Sequence, residues 1–334
     1  MYAKLIAAVC LGLTLVATSA AAGASGYRIL ERISGPDGGW DYVRIDAAHN
    51  RLLVAHGGSV MAVDLATHAV TPGLAPGAML HDPLPVNDGA EILVTNGGTA
   101  SAVFVEALSG AALASVKTGA GPDAAVFDAG SGLVLVMDHV GGDITLIDPK
   151  SHLSVGAIPV GGELEAAAVD GRGRAYVNVE DKSEIAVVDI AARKVIARHL
   201  LPGCDGPTGI AYDAADRQLI VACDGGTVLV DAASGKVLSA LVTGQGADGV
   251  AFDAARRTAF VPGRDGRLFV LQITRGKARI VDVVATEPGA RTIALDPRTG
   301  RLYLPTAQFG PRPASGGRAP MIPGTFHVLV MGRE

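Results

Sequence analysis

The chain has little of what usually announces a function. Aromatic residues make up 4% of it, with a single Trp, and charged residues only 18%. With a net charge of −5 and no basic run, it lacks the footprint of a general nucleic-acid binder. There is no G-x-S-x-G elbow, phosphate-binding glycine loop or C-x-x-C-H haem site, and no nucleophile stands out. Glycine clusters such as GPDGGW read as turns, because no helical pattern follows them. Past the N-terminus no apolar run is long enough to span a bilayer, so no transmembrane anchor is expected. Apolar residues still reach 49%, far too many for a disordered chain.

The first residues, MYAKLIAAVCLGLTLVATSAAAGASG, combine one early cation (Lys4), a short apolar core and small residues near Ala20–Ala24. That is the pattern of a secretory signal peptide. Residues 1–24 are read as this peptide and 25–334 as one domain, periplasmic or secreted. Cys10 falls in the apolar core with no lipidation box beside it, which leaves Cys204 and Cys223 after export. Two cysteines in an exported chain, at the same end of one expected hairpin, predict a disulfide.

What the chain has in quantity is glycine, 44 residues of it, and a recurring phrase. VRIDAAHNRLLVAHGGSVMAVDL, beginning at Val43, returns as VAFDAARRTAFVPGRDGRLFVLQI from Val250. Each copy has three short apolar runs joined by tight turns, the pattern of consecutive strands. The residue closing the first run recurs as Asp46, Asn87, Asp128, Asp170, Asp213, Asp253 and Asp296, at intervals of 40 to 43 residues. Six of the third runs close on a second polar residue: Asp64, Glu106, Asp148, Asp189, Asp231 and Gln272. A period near 40 with several strands per unit is that of propeller blades. The expected fold is therefore all-β, a seven-bladed propeller. The last blade is one strand short, and YRILERI from Tyr27 supplies a spare strand to close the ring.

The first run of each unit alternates large and small residues, as in Tyr212 and Ile210 against Ala211 and Gly209. Side chains alternate across a strand, so a bulky face nests on a neighbour's small face around a crowded axis. Arg44 and Tyr42 in the first unit break this pattern.

The segments RLLVAHGGSVMAVDLATHAV, RAYVNVEDKSEIAVVDIAARKVI and RQLIVACDGGTVLVDAASGKVL resemble the YVTN-type repeats of exported bacterial propellers. The ending GPRPASGGRAPMIPGTFHVLV resembles that family's interrupted last blade. The resemblance implies a periplasmic propeller, usually without established catalysis. It also keeps open a docking role in a periplasmic redox system, because similar repeats occur in dehydrogenase subunits.

Loops entering the first strand and leaving the second share one face of a propeller. Five residues before each anchor stand Asp41, Asp82, Asp123, Glu165, Thr208, Asp248 and Arg291. Crowded carboxylates repel one another unless a cation compensates, and both Arg291 and a divalent metal would serve. His56, Asp138, His139, Glu180, Asp181, Asp224 and Arg264 follow the anchors on the same face, with His81 beside Asp82. Imidazole with carboxylate suits Zn, Fe, Ni or Cu, so His56, His81, His139 and Asp138 are the candidate ligands. Polar residues also gather at strand ends simply because loops are solvated. Trp40, at the same mouth, either stacks on a ligand or plugs the channel. The long segment 305–324 is rich in Pro and Gly, unfavourable to regular structure, and Arg312 and Arg318 in it suit either a lid or a loose loop. The reading is a monomeric, non-enzymatic propeller that binds a metal, small ligand or protein partner on its acidic face. The alternative is a metal-assisted hydrolase or lactonase with Glu165 as base.

Overall fold

All six residues of the strand Arg51–His56 are buried, although it lies in a surface-rich repeat protein. The reason is alternation. Leu52 and Val54 face one neighbouring blade, in a cluster with Tyr303 and Phe326, while Leu53 and Ala55 face the other, with Ile92 and Val94. A blade buried on both faces needs a continuous apolar run in its middle strands, and every unit has one.

The computed structural model describes residues 25–313, 316–317 and 319–333, so the expected signal peptide lies outside it. These residues form seven four-stranded antiparallel sheets arranged as the blades of a ring. Six blades are contiguous in sequence, beginning with the inner strands Trp40–Asp46, Leu80–Val86, Pro122–Asp128, Leu164–Val169, Ile210–Asp213 and Ala251–Asp253. The seventh joins Ala294–Leu295, Leu302–Thr306 and His327–Gly332 to the N-terminal strand Arg28–Ser34, which pairs antiparallel with His327–Gly332. The spare strand therefore closes the ring as expected. Helix is confined to two short 3-10 turns among the described residues, and no helix is long and apolar enough to cross a membrane.

The core is divided into apolar clusters, one at each interface between neighbouring blades. Near the axis the small positions are obligatory: a Cβ placed on Gly209 would lie 2.5 Å from the backbone of Gly249. Arg44, which broke the small-residue pattern, has a specific partner. Its Nε donates to Asp82 at 2.8 Å and its Nη2 to the carbonyl of Ala125 at 3.0 Å, while the Ala125 N–H donates to Asp82 at 2.9 Å. Asp82 is fully buried, so this network ties the inner strands of blades 1, 2 and 3 together.

Cys204 and Cys223 form the expected disulfide, joining the approach to the inner strand of blade 5 to the end of its second strand. Replacing both by Ala should lower stability by about 3 kcal/mol, as for a closed loop of this length, read as a shift in the urea midpoint. Arg44→Met, which leaves the Asp82 carboxylate buried without its cation, should cost roughly 3–5 kcal/mol. A double variant, Arg44→Met with Asp82→Leu, should recover much of that loss in the same measurement.

Candidate functional site at the channel mouth

A backbone irregularity places the acidic residues. In blades 1 to 4 the ladder between inner and second strands skips a step, as between Trp40–His56 and Val43–Val54 or between Pro122–Asp138 and Ala125–Val136. Two inner-strand residues then oppose one partner, which is a β-bulge, and bulges redirect side chains. The bulged pairs are Asp41–Tyr42, His81–Asp82, Asp123–Ala124 and Glu165–Ala166. Blades 1, 3 and 4 thus offer Asp41, Asp123 and Glu165 at one height, where blade 2 offers His81, with Asp82 one position further along its strand.

Asp41, Asp123, Glu165 and Asp248 line a cavity of about 480 Å³, together with His81, His139 and Arg291. His81 Nδ1 lies 2.7 Å from Asp41 and 3.1 Å from Asp123, and His139 Nδ1 lies 3.3 Å from Glu165. Arg291 Nε donates to Asp248 at 2.5 Å, and its guanidinium also covers the Trp40 ring. Asp41, His81 and Asp123 form one set of donors able to hold a metal ion, and Asp123, His139 and Glu165 a second. Asp123 is common to both.

The electrostatics follow from crowding anions inside a protein cavity. Burial first, then repulsion from Asp123 and Asp248, pushes Asp41 up to about 6 against the pull of His81. The same causes push Glu165 up to about 8. Both imidazoles respond in the opposite sense of charge: carboxylates outweigh burial and raise His81 to about 10, and the Glu165 hydrogen bond leads in raising His139 to about 9. Tyr42, on the cavity wall, is held well above its usual range by burial and by four surrounding carboxylates. The mouth therefore holds protons tightly, because burial and neighbouring carboxylates both disfavour further negative charge.

Not every expected residue joins. His56 is buried against Phe326, with ring centroids 4.4 Å apart, and burial lowers its pKa. Asp138 is buried beneath the surface, accepting from Thr145 Oγ1 at 2.7 Å. Neither lines the cavity: both end their second strands as paired residues, His56 opposite Trp40 and Asp138 opposite Pro122, whereas His139 follows in the turn and faces the mouth. Asp82 is taken up by Arg44. Trp40 is not a channel plug, since its indole is turned into the interface of blades 7 and 1, 5.6 Å from Phe326. Thr208 donates to the Ala247 carbonyl, and Asp181 and Asp224 accept backbone N–H groups, so these residues brace loops. A third donor set, His139 with Glu163 and Glu180, includes Glu163, which the position-by-position reading missed because it stands two residues outside the recurring position.

The segment 305–324 is more regular than its composition suggests. Phe309 bridges Met321 antiparallel, and hydrogen bonds link Gly310 to Pro320 and Ile322 to Gln308, extending the preceding hairpin. It borders Trp40 through Phe309, not the acidic cavity, and Arg318 lies outside the described residues.

Asp41, Glu165, His81 and His139 all bind protons more tightly folded than unfolded, so each contribution to stability falls as pH rises. For Asp41 and Glu165 the fall runs from the ordinary carboxylate range to about 6 and about 8. For the imidazoles it runs from 6.5 up through about 10 and about 9. With chelator present, the stability advantage of wild type over a His81→Gln/His139→Gln variant should shrink between these limits in urea unfolding. An advantage that stays constant with pH would contradict the assignment.

No protein-family model and no curated protein sequence matches the chain. Solved structures do. A chain in the crystal structure of a mitotic checkpoint complex superposes with a TM-score of 0.71 at 12% identity, covering 89% of this chain and 96% of that one. A chain of the Kuenenia stuttgartiensis hydrazine synthase superposes with a TM-score of 0.69 at 18% identity, covering 83% and 95%. At such identities the likeness carries the β-propeller fold alone.

Proposed function

We propose that this protein is an exported propeller of the YVTN-repeat type that binds a divalent transition-metal ion at its channel mouth. The observation that carries the reading is the pair of donor sets sharing Asp123, with the ligand atoms of each set within 4.8 Å of one another. Mixed imidazole and carboxylate donors suit Zn, Fe, Ni or Cu. A cation there relieves the mutual repulsion that now raises Asp41 and Glu165. The signal-like N-terminus and the Cys204–Cys223 bridge support export to an oxidising compartment. The fold itself is commonly a platform for binding or docking, and it carries no chemistry on its own.

A metal-assisted hydrolase is the second reading. Glu165, whose carboxyl holds its proton up to about 8, has the proton affinity expected of a general base. Turnover that depends on the metal would favour it, and tight metal uptake without turnover keeps the binding role.

The test is calorimetric titration of Zn²⁺ into untagged, chelator-stripped protein. Saturable binding is expected, weakened more than about 100-fold in His81→Ala/His139→Ala, beyond the loss from a merely supporting residue. His56→Gln should leave it unchanged. No binding in the wild type, or equal binding in the double variant, would return these residues to the role of solvated loop groups.

A further inference from the structure

The face carries a second, larger cavity of opposite character. It measures about 1290 Å³ and lies where the segment 305–324 meets blades 6, 7 and 1. Four guanidiniums line it, from Arg32, Arg264, Arg291 and Arg312, against one carboxylate, Glu287. In a chain of net charge −5 this is a local reversal of sign. Glu287 already accepts from Arg32 Nε at 2.7 Å, and His327 Nε2 lies 2.9 Å from its other oxygen. Arg291 is the boundary: it lines both cavities, with its Nε toward Asp248 and the Trp40 carbonyl 3.3 Å from its Nη2. Arg312 has no ion pair among the described residues.

The remaining wall is apolar and partly aromatic. Trp40 and Phe309 sit 6.1 Å apart, and Met321 and Ile322 continue the surface. Phe309 is 45% and Ile322 41% exposed, unusual for large apolar residues beside a cavity. Planar guanidiniums bind carboxylates in a fork geometry and stack on flat rings. An apolar floor with a few placed charges is the ordinary composition of a small-molecule site.

We propose that this cavity binds an organic anion with a flat apolar body, an aromatic carboxylate, its ring against Phe309 and its charge on the arginine rim. The site is separate from the metal-binding mouth and does not rest on it. A cation is repelled here for the same reason that it is attracted next door.

Trp40 is the only Trp in the chain, so tryptophan fluorescence reports on this wall alone. The purified protein, with chelator present, is titrated with 4-nitrobenzoate and separately with neutral 4-nitrobenzyl alcohol. Saturable quenching by the anion is expected, with the alcohol weaker by roughly tenfold, the scale of one hydrogen bond to a charged group. Arg312→Glu and Phe309→Ala should each weaken the anion by a similar factor. Both side chains are exposed, so their thermal midpoints should stay at the wild-type value. Equal, unsaturating quenching by the two probes, or unchanged affinity in both variants, overturns the proposal.

Discussion

Burial of both faces of every blade is the constraint from which the remaining structure follows. A four-stranded sheet with apolar residues on both sides cannot exist alone in water, and each blade here is completed by the next. The last interface is completed only when the chain returns on itself, with Arg28–Ser34 paired to His327–Gly332. That pairing also removes a long unpaired edge, a liability in any sheet protein. Crowding at the axis brings Gly209 and Gly249 together, and the buried pair of Arg44 with Asp82 ties neighbouring inner strands there.

The same ring brings the loops to one mouth. Residues about 40 apart in sequence become neighbours in space, and bulges in blades 1 to 4 turn Asp41, His81, Asp123 and Glu165 to one height. The consequence is electrostatic. Like charges confined at close range in a partly desolvated cavity raise one another's proton affinity and draw in any cation within reach. His81, His139 and Arg291 are the cations the chain supplies. On the far side of Arg291 the sign reverses, so opposite charges are kept apart on one face by a single guanidinium and its stacked indole.

Much of this is legible in the sequence, for reasons that can be named. The anchors from Asp46 to Asp296 reveal the number of blades because the six Asp among them each accept backbone N–H groups of the turn that follows. Asn87, one residue past its strand, keeps the count but not the register. Cys204 and Cys223 fall at one end of one hairpin, so their pairing follows from strand count alone. Asp41, Asp123, Glu165 and Asp248 recur at a fixed offset, and a fixed offset in a repeat means a fixed height on the ring.

Residue order alone therefore reports position along the blade: seven units, the closing strand, the disulfide and the acidic level of the mouth. Direction emerges only once the strands are paired. His56 ends its second strand and packs on Phe326, while His139 stands one position further along its own blade, in the turn, and faces Glu165. Asp82 stands as far from its anchor as Asp41, but the strand register puts it level with Tyr42, where it meets Arg44, and the arginine cavity gathers residues from Arg32 to His327. A period reports where a residue lies in its repeat. Which way its side chain points depends on the strand register and bulge of its own blade, where a shift of one residue exchanges the faces.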